Sequence, residues 1–421
     1  MRHLLDWLGC VAAVSQRADR RIFLDSMGST SRCGLALADS ECSTAMAILG
    51  DGAAGSMLEM DDIHRDALLH PGPVVIPAAL GATRVTGNPV RQLLAGIVAG
   101  YEIMIRIGRS MGTGHYRYWH PSSTCGAFGA ASAAGHILGL DKQQTVSALG
   151  NAGSRTGGLW QMRHEPVPTK AMHTALTAHS GWLAADLAAR GFAGPRTLLE
   201  GEQGLLAATA PDAEPARMLE PAEDWLLHQV SFKPWPACRH AHPAIDALLA
   251  LEPKPAAEDV DTIRVKTFQA AIDFCDNAKP HTQLQARFSI QHALAAALVH
   301  GRPALEHYED AVIGDPRVTN LRSRISITTD ERLNARFPAH YGARVEITRG
   351  DGSVVKAGVD DAWGDPERPL SDEELADKAR ELMSAGGWRP TAIERIIDST
   401  LSLDPEDDLL GWLALIEEAA G

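Results

Sequence analysis

The sequence predicts a mostly helical protein that carries a smaller α+β domain. Three observations lead there. Apolar residues recur at three- and four-residue spacing through the first half of the chain and again near its end. The character changes near His228, where HQVSFKPWPACRHAHP is rich in proline, aromatic and basic residues. Beyond it come alternating β-formers. A chain of 421 residues also exceeds one core of ordinary size. The expected division is a helical domain over 1–229, a smaller α+β domain over 230–368, and a C-terminal helical segment over 369–421 that packs back on the helical domain.

Each element has its own signal. CSTAMAILGDGAAGSMLEM, PVRQLLAGIVAGYEIMIRIG, GAFGAASAAGHILGL, KQQTVSALGNAG and MHTALTAHSGWLAADLAARG all read as helices. The small residues of GAFGAASAAG permit close approach by neighbouring helices, which predicts an interior position. Turns fall at Gly87-Asn88-Pro89, Gly139 to Asp141 and Gly191 to Pro195. PAIDALLALE predicts a helix, DVDTIRVKTF a strand, and ARFSIQHALAAALVHG a helix. RSRISITTD and GARVEITRGDGSVVKAGV predict further strands, the latter a hairpin about Gly350-Asp351-Gly352. Ser371 followed by Glu374 is a capping box opening SDEELADKARELM.

Composition excludes several functions. The formal charge is −14 with no basic block, so nucleic acid and anionic membrane are poor partners. No apolar run reaches the roughly 18 residues of a membrane span, and Asp6 interrupts the N-terminal apolar run. The six cysteines, Cys10, Cys33, Cys42, Cys125, Cys238 and Cys275, are widely and irregularly spaced. That argues against a zinc ribbon or a disulfide framework and for a reducing cytoplasm. Gly50-Asp51-Gly52-Ala53-Ala54-Gly55 matches a dinucleotide fingerprint in letters only: it follows a helical pattern instead of a strand, so its glycines read as helix-packing residues.

Polar groups concentrate in four segments. MDDIHRDALLHPGPVV holds Asp61, Asp62, His64, Arg65, Asp66 and His70. HYRYWHPSSTCG holds His115 and His120, HEPVPTKAMHTA holds Lys170 and His173, and SFKPWPACRHAHPAID holds Lys233, Arg239 and His242. Metal-ligand spacing is missing, since His64 and His70 lie six apart and lysine is a poor ligand. No metal and no cofactor are expected. Acid–base work fits better: His70 precedes Pro71 at the end of an element, and Lys170, Lys233 and Arg239 are cations within apolar or aromatic sequence, suited to carboxylates. Pro243 suits the first turn of a helix after His242. His136, His179 and His292 read as satisfied helical residues, His64 and Arg65 as solvated, and one of the two aspartates as a helix cap.

Six stretches in order resemble the MmgE/PrpD family. They are GAAGSMLEMDDIHRDALLHPGPVVIPAAL, GAFGAASAAGHILGLD, TKAMH with the later AARGFAGPRTLLEGEQGLL, CRHAHPAIDALL, ARFSIQHALAAALVHG and DPERPLSDEEL. The resemblance implies a large all-helical domain with an α+β lid domain, a homodimer, and a metal-free site between the domains. It assigns His70, His120, Asp61 and Asp62 to catalysis, and Lys170, His173, Lys233, Arg239 and His242 to binding a small polycarboxylate. Ile63 stands where members often carry threonine. The implied step is removal of a proton α to a carboxylate. The first expectation is a 2-methylcitrate dehydratase-like hydro-lyase. The alternatives are an epimerase of an iminodisuccinate-like dicarboxylate, a cis-aconitate-type decarboxylase, and an inactive helical binding protein.

Overall fold

The computed structural model describes residues 1–26, 42–165 and 167–420. The chain forms two compact units. One comprises Met1–Met57, Asp61–Val230 and Ser371–Gly421; the other comprises Leu58–Met60 and Ser231–Leu370. The first is helical and the second holds a mixed four-stranded sheet with helices, so the predicted class is what the chain adopts.

In the helical unit, Gly126–Ile137 packs against the helices Val90–Ser110, Thr169–Ala189, Gly72–Thr86 and Lys142–Gly153. Its small residues make that possible. A Cβ on Gly129 would stand 2.9 Å from the Gly100 carbonyl oxygen, closer than packing allows. The GxGxxG letters fall largely within the helix Thr44–Ala54, where a Cβ on Gly52 would stand 3.0 Å from Ala175 Cα. These glycines serve helix crossing, as the helical context predicts. Gly72–Thr86 begins at Pro71 and stops at Gly87, whose left-handed φ of 67° turns the chain. The capping box of Ser371 and Glu374 opens Asp372–Ala385, which packs on Arg2–Ala12. Between those two helices Lys378 Nζ lies 2.5 Å from Asp6 Oδ1, both buried. Among the described residues no helix is long and apolar enough to cross a membrane.

In the second unit the sheet order is Ile325–Thr329, Val260–Thr267, Ala343–Arg349, Val354–Val359. The hairpin pairs Ala343 with Val359 and Thr348 with Val354 about the predicted Gly-Asp-Gly turn. Val260–Thr267 alternates buried and more exposed residues along most of its length, and Ile263, Val265, Val345 and Ile347 bury one face. His242–Leu249 packs on the two hairpin strands. The parallel pairing of Ile263 with Ile325 has no local signal, because a parallel pair needs a long crossover whose path only tertiary packing sets.

Two expectations need correction. His64 and Arg65 are not solvated: they are 2% and 6% exposed. The segment turns inward, with His64 N–H donating to the Leu69 carbonyl and the Ala67 N–H donating to His64 Nδ1. Cys42 is disulfide-bonded, contrary to the cysteine spacing. Spacing cannot show it, because a disulfide answers to distance in space. Cys10, Cys125, Cys238 and Cys275 are not disulfide-bonded, and Cys33 lies outside the described residues.

Candidate active site

The helical unit gathers six of the nine predicted residues. The stretch from Asp61 to Gly72 is an irregular turn leading into the helix Gly72–Thr86. Leu68 within it has a left-handed φ of 54°, a conformation that costs a side-chain-bearing residue about 1–2 kcal/mol. Tertiary contacts hold the turn. The His70 N–H donates to Ser122 Oγ at 2.9 Å, and the His70 ring donates from Nδ1 to the Asp62 carbonyl at 2.8 Å. Asp61 Oδ2 lies 3.0 Å from the same nitrogen. With its proton on Nδ1, neutral His70 carries its lone pair on Nε2.

The two neighbouring aspartates therefore do different things. Asp61 places a buried carboxylate beside the His70 ring. Asp62 directs its own carboxylate away, to the Gly72 N–H at 2.8 Å and to Tyr101 Oη at 2.7 Å. The capping reading suits Asp62, since Gly72 is the first residue of its helix.

His120 precedes the short helix Pro121–Thr124 and is 1% exposed. Its N–H donates to the Gly158 carbonyl, and its ring lies 4.5 Å from Trp160. Nδ1 shares a hydrogen with His173 Nδ1 across 3.3 Å. Nε2 is buried without a protein hydrogen-bond partner. A buried nitrogen of this kind is open to a water, a ligand or a proton. Burial first, then the charges of Lys170, His173 and His70, hold this imidazole well below its ordinary pKa; Asp61 opposes them. Burial and Lys170 also lower His173. Lys170 itself is buried, one helical turn before His173 on Thr169–Ala189. An open pocket of about 890 Å³ reaches His173, with Ser123, Gly158, Thr177, Met162 and Phe192 in its wall.

Lys233, Arg239 and His242 belong to the sheet-bearing unit. Lys233 Nζ is fully buried and donates to the Glu59 carbonyl at 3.2 Å and to Glu59 Oε2 at 3.3 Å. Glu59 has a left-handed φ of 56°. Arg239 is engaged by Asp365, by the Trp363 carbonyl at 3.0 Å and by His242 Nδ1 at 3.1 Å. His242 Nε2 donates to the Ala237 carbonyl at 3.0 Å. These contacts brace the turn before His242–Leu249. Among the described residues one group, His340, Asp361 and Glu367, has the side-chain spacing to hold a metal ion, and none of the nine predicted residues is in it.

Sequence reasoning passed over Tyr101, Ser122, Trp160 and Glu59. Ser122 lies within HYRYWHPSSTCG and Glu59 immediately before MDDIHRDALLHPGPVV, yet a lone serine and a lone glutamate carry no signal that singles them out. Tyr101 and Trp160 carry no local signal, since each touches the site through tertiary packing. Conversely His115, though in a polar cluster, is satisfied by Thr124 Oγ1 and the Thr209 carbonyl.

Two family models match most of the chain. Residues 1–218 match the MmgE/PrpD N-terminal domain and residues 235–403 the MmgE/PrpD C-terminal domain. The chain is 28% identical over 401 residues to the cis-aconitate decarboxylase-like protein oryM of Aspergillus oryzae, covering 88% of this chain and 82% of that protein. It is 26% identical over 373 residues to cis-aconitate decarboxylase of Homo sapiens, covering 85% and 76%. It is 25% identical over 292 residues to mitochondrial 2-methylcitrate dehydratase of Yarrowia lipolytica, covering 63% and 53%.

Proposed function

Because this chain belongs to the MmgE/PrpD family, we propose that it is a lyase that moves a proton at a carbon next to a carboxylate of a tricarboxylic acid. The carrying observation is the pair of buried imidazoles: His70 backed at Nδ1 by Asp61, and His120 with an unpartnered Nε2. His70 Nε2 exchanges the proton with carbon, and the Asp61 carboxylate opposes the charge that the ring gains. His120 stays neutral and serves as hydrogen-bond partner to the reacting end. Lys170 supplies positive charge for a substrate carboxylate and for the enediolate that develops.

Within that chemistry, decarboxylation of a cis-aconitate-type substrate is the first reading, and dehydration of a 2-methylcitrate-type substrate the second. The support is extent: similarity to the decarboxylases runs over 85% or more of this chain, against 63% for the Yarrowia dehydratase. This order differs from the one the motifs alone suggest, because all three reactions use the same acids and cations. The test is proton NMR in D₂O of chelator-treated protein with cis-aconitate and 2-methylcitrate. Loss of CO₂ supports the first reading and a new alkene from 2-methylcitrate the second. Deuterium exchange without net conversion points to epimerisation, and inertness toward both counts against a tricarboxylate lyase.

A homodimer is part of the proposal. Met172, Leu176 and Leu183 form one exposed apolar stripe on Thr169–Ala189, next to exposed Phe192. A second copy of this chain would cover it. Light scattering should give a dimer for the native protein and a monomer for Leu176→Glu; a native monomer refutes it.

A further inference from the structure

Asp62 holds both ends of the turn that carries His70. Its carbonyl accepts from the His70 ring at 2.8 Å, and its Oδ1 accepts from the Gly72 N–H at 2.8 Å. A Cβ on Gly72 would stand 2.8 Å from that same oxygen, so the carboxylate is tightly enclosed on this side. A carboxylate still turns about its last bond unless its second oxygen is held. Here Oδ2 takes two more contacts: Tyr101 Oη donates at 2.7 Å and His3 Nδ1 lies 3.0 Å away. The His3 and Tyr101 rings meet edge to face with centroids 5.0 Å apart. Tyr101 is wholly buried on Val90–Ser110. Burial first, and then the Asp62 charge, push its hydroxyl well above the usual phenol range, so it remains a donor at any working pH.

We propose that Tyr101 is a positioning residue for His70: it acts through Asp62, with His3 as the second jaw of the clamp, and fixes the imidazole as its Nδ1–H tautomer. The proposal rests on the reading of His70 as the group that moves the proton. The Tyr101 hydroxyl is engaged by the Asp62 carboxylate, so a role exercised through Asp62 predicts that its loss lowers kcat and leaves KM nearly unchanged.

The experiment pairs kinetics with nitrogen-15 histidine NMR, in which a His70→Gln spectrum identifies the His70 signals. The native protein should show one His70 tautomer, protonated at Nδ1. Tyr101→Phe keeps the ring and should mix the tautomers, with a kcat loss of roughly tenfold or more and KM within about twofold. A single unchanged tautomer in Tyr101→Phe overturns the proposal, even if kcat falls, because that fall would be general destabilisation. Should Tyr101→Phe not fold, His3→Leu is read in the same way, and His3→Asn, which restores a donor, should recover the native signature. If the native protein turns over no tricarboxylate, the lyase reading fails. The NMR outcome still decides whether Tyr101 sets the state of His70.

Discussion

At the scale of single residues, the molecule separates groups that look alike in sequence. Asp61 and Asp62 are neighbours, yet one faces the His70 ring and the other caps a helix and meets Tyr101. The buried histidines also divide. His115 has both nitrogens satisfied, whereas His120 keeps Nε2 unpartnered. Removing the proton-transfer group should be severe: His70→Ala is expected to lower turnover by roughly two orders of magnitude or more, with the fold retained by circular dichroism. Retention of a tenth of native turnover would assign the role elsewhere. His120 should remain neutral through the working range, because burial, Lys170, His173 and His70 all disfavour its cation. NMR of its ring nitrogens should show no titration between about pH 8 and pH 6, and a midpoint in that interval would contradict the assignment. The polar segments were legible as a group because titratable side chains stand out in alanine-rich sequence. Their individual duties were not, since hydrogen-bond partners such as Tyr101 and Ser122 lie far along the chain.

At the scale of elements, local signals did well where the physics is local. The predicted capping box of Ser371 and Glu374 forms, and the structure adds a second at Asp141 and Gln144. Ser371→Ala should cost about 1 kcal/mol, measured by denaturant unfolding, with Ser371→Asp nearly neutral. The glycine-rich run in Thr44–Ala54 is legible as helix, but its reason is tertiary. A Cβ at Gly52 would meet Ala175 Cα at 3.0 Å, tighter than ordinary packing. The Lys233–Glu59 pair in the sheet-bearing unit lies beyond any local rule. Both groups are buried, and Lys233→Ala would strip the Glu59 carboxylate of its ammonium partner. A loss of about 3–5 kcal/mol is expected. A stability change below about 1 kcal/mol would show that the pair contributes little.

At the scale of the whole molecule, buried ionisable groups make stability depend on pH. Burial above all pushes His64, His115 and His292 down to about 4. The unfolded chain binds protons near 6.5, so the folded state loses ground as pH falls from 6.5 toward 4. The full effect is on the order of 3 kcal/mol for each histidine. Asp6 works the other way: burial raises it to about 6, Lys378 opposing, so its contribution grows as pH falls from about 6 to 3.8. Burial also raises Asp246, which acts in the same sense as Asp6, and the three histidines outnumber these two carboxylates. The thermal midpoint should therefore drop between pH 7 and pH 4.5, and His115→Asn should drop less steeply over that interval. A midpoint that holds level or rises would show that the carboxylates dominate.

Periodicity, caps and turn residues are short-range properties, and they placed the main helices, the hairpin and the change of character near His228 from the order of residues alone. The acidic composition likewise argued against nucleic acid and anionic membrane, and the cations set in apolar or aromatic sequence suited a carboxylate ligand. Three things waited for the folded chain: the parallel pairing of Val260–Thr267 with Ile325–Thr329, the burial of His64 and Arg65, and the division of labour between Asp61 and Asp62. Each depends on contacts between residues distant in sequence. Such contacts set both the local dielectric and the hydrogen-bond partners, and so decide what a titratable side chain does.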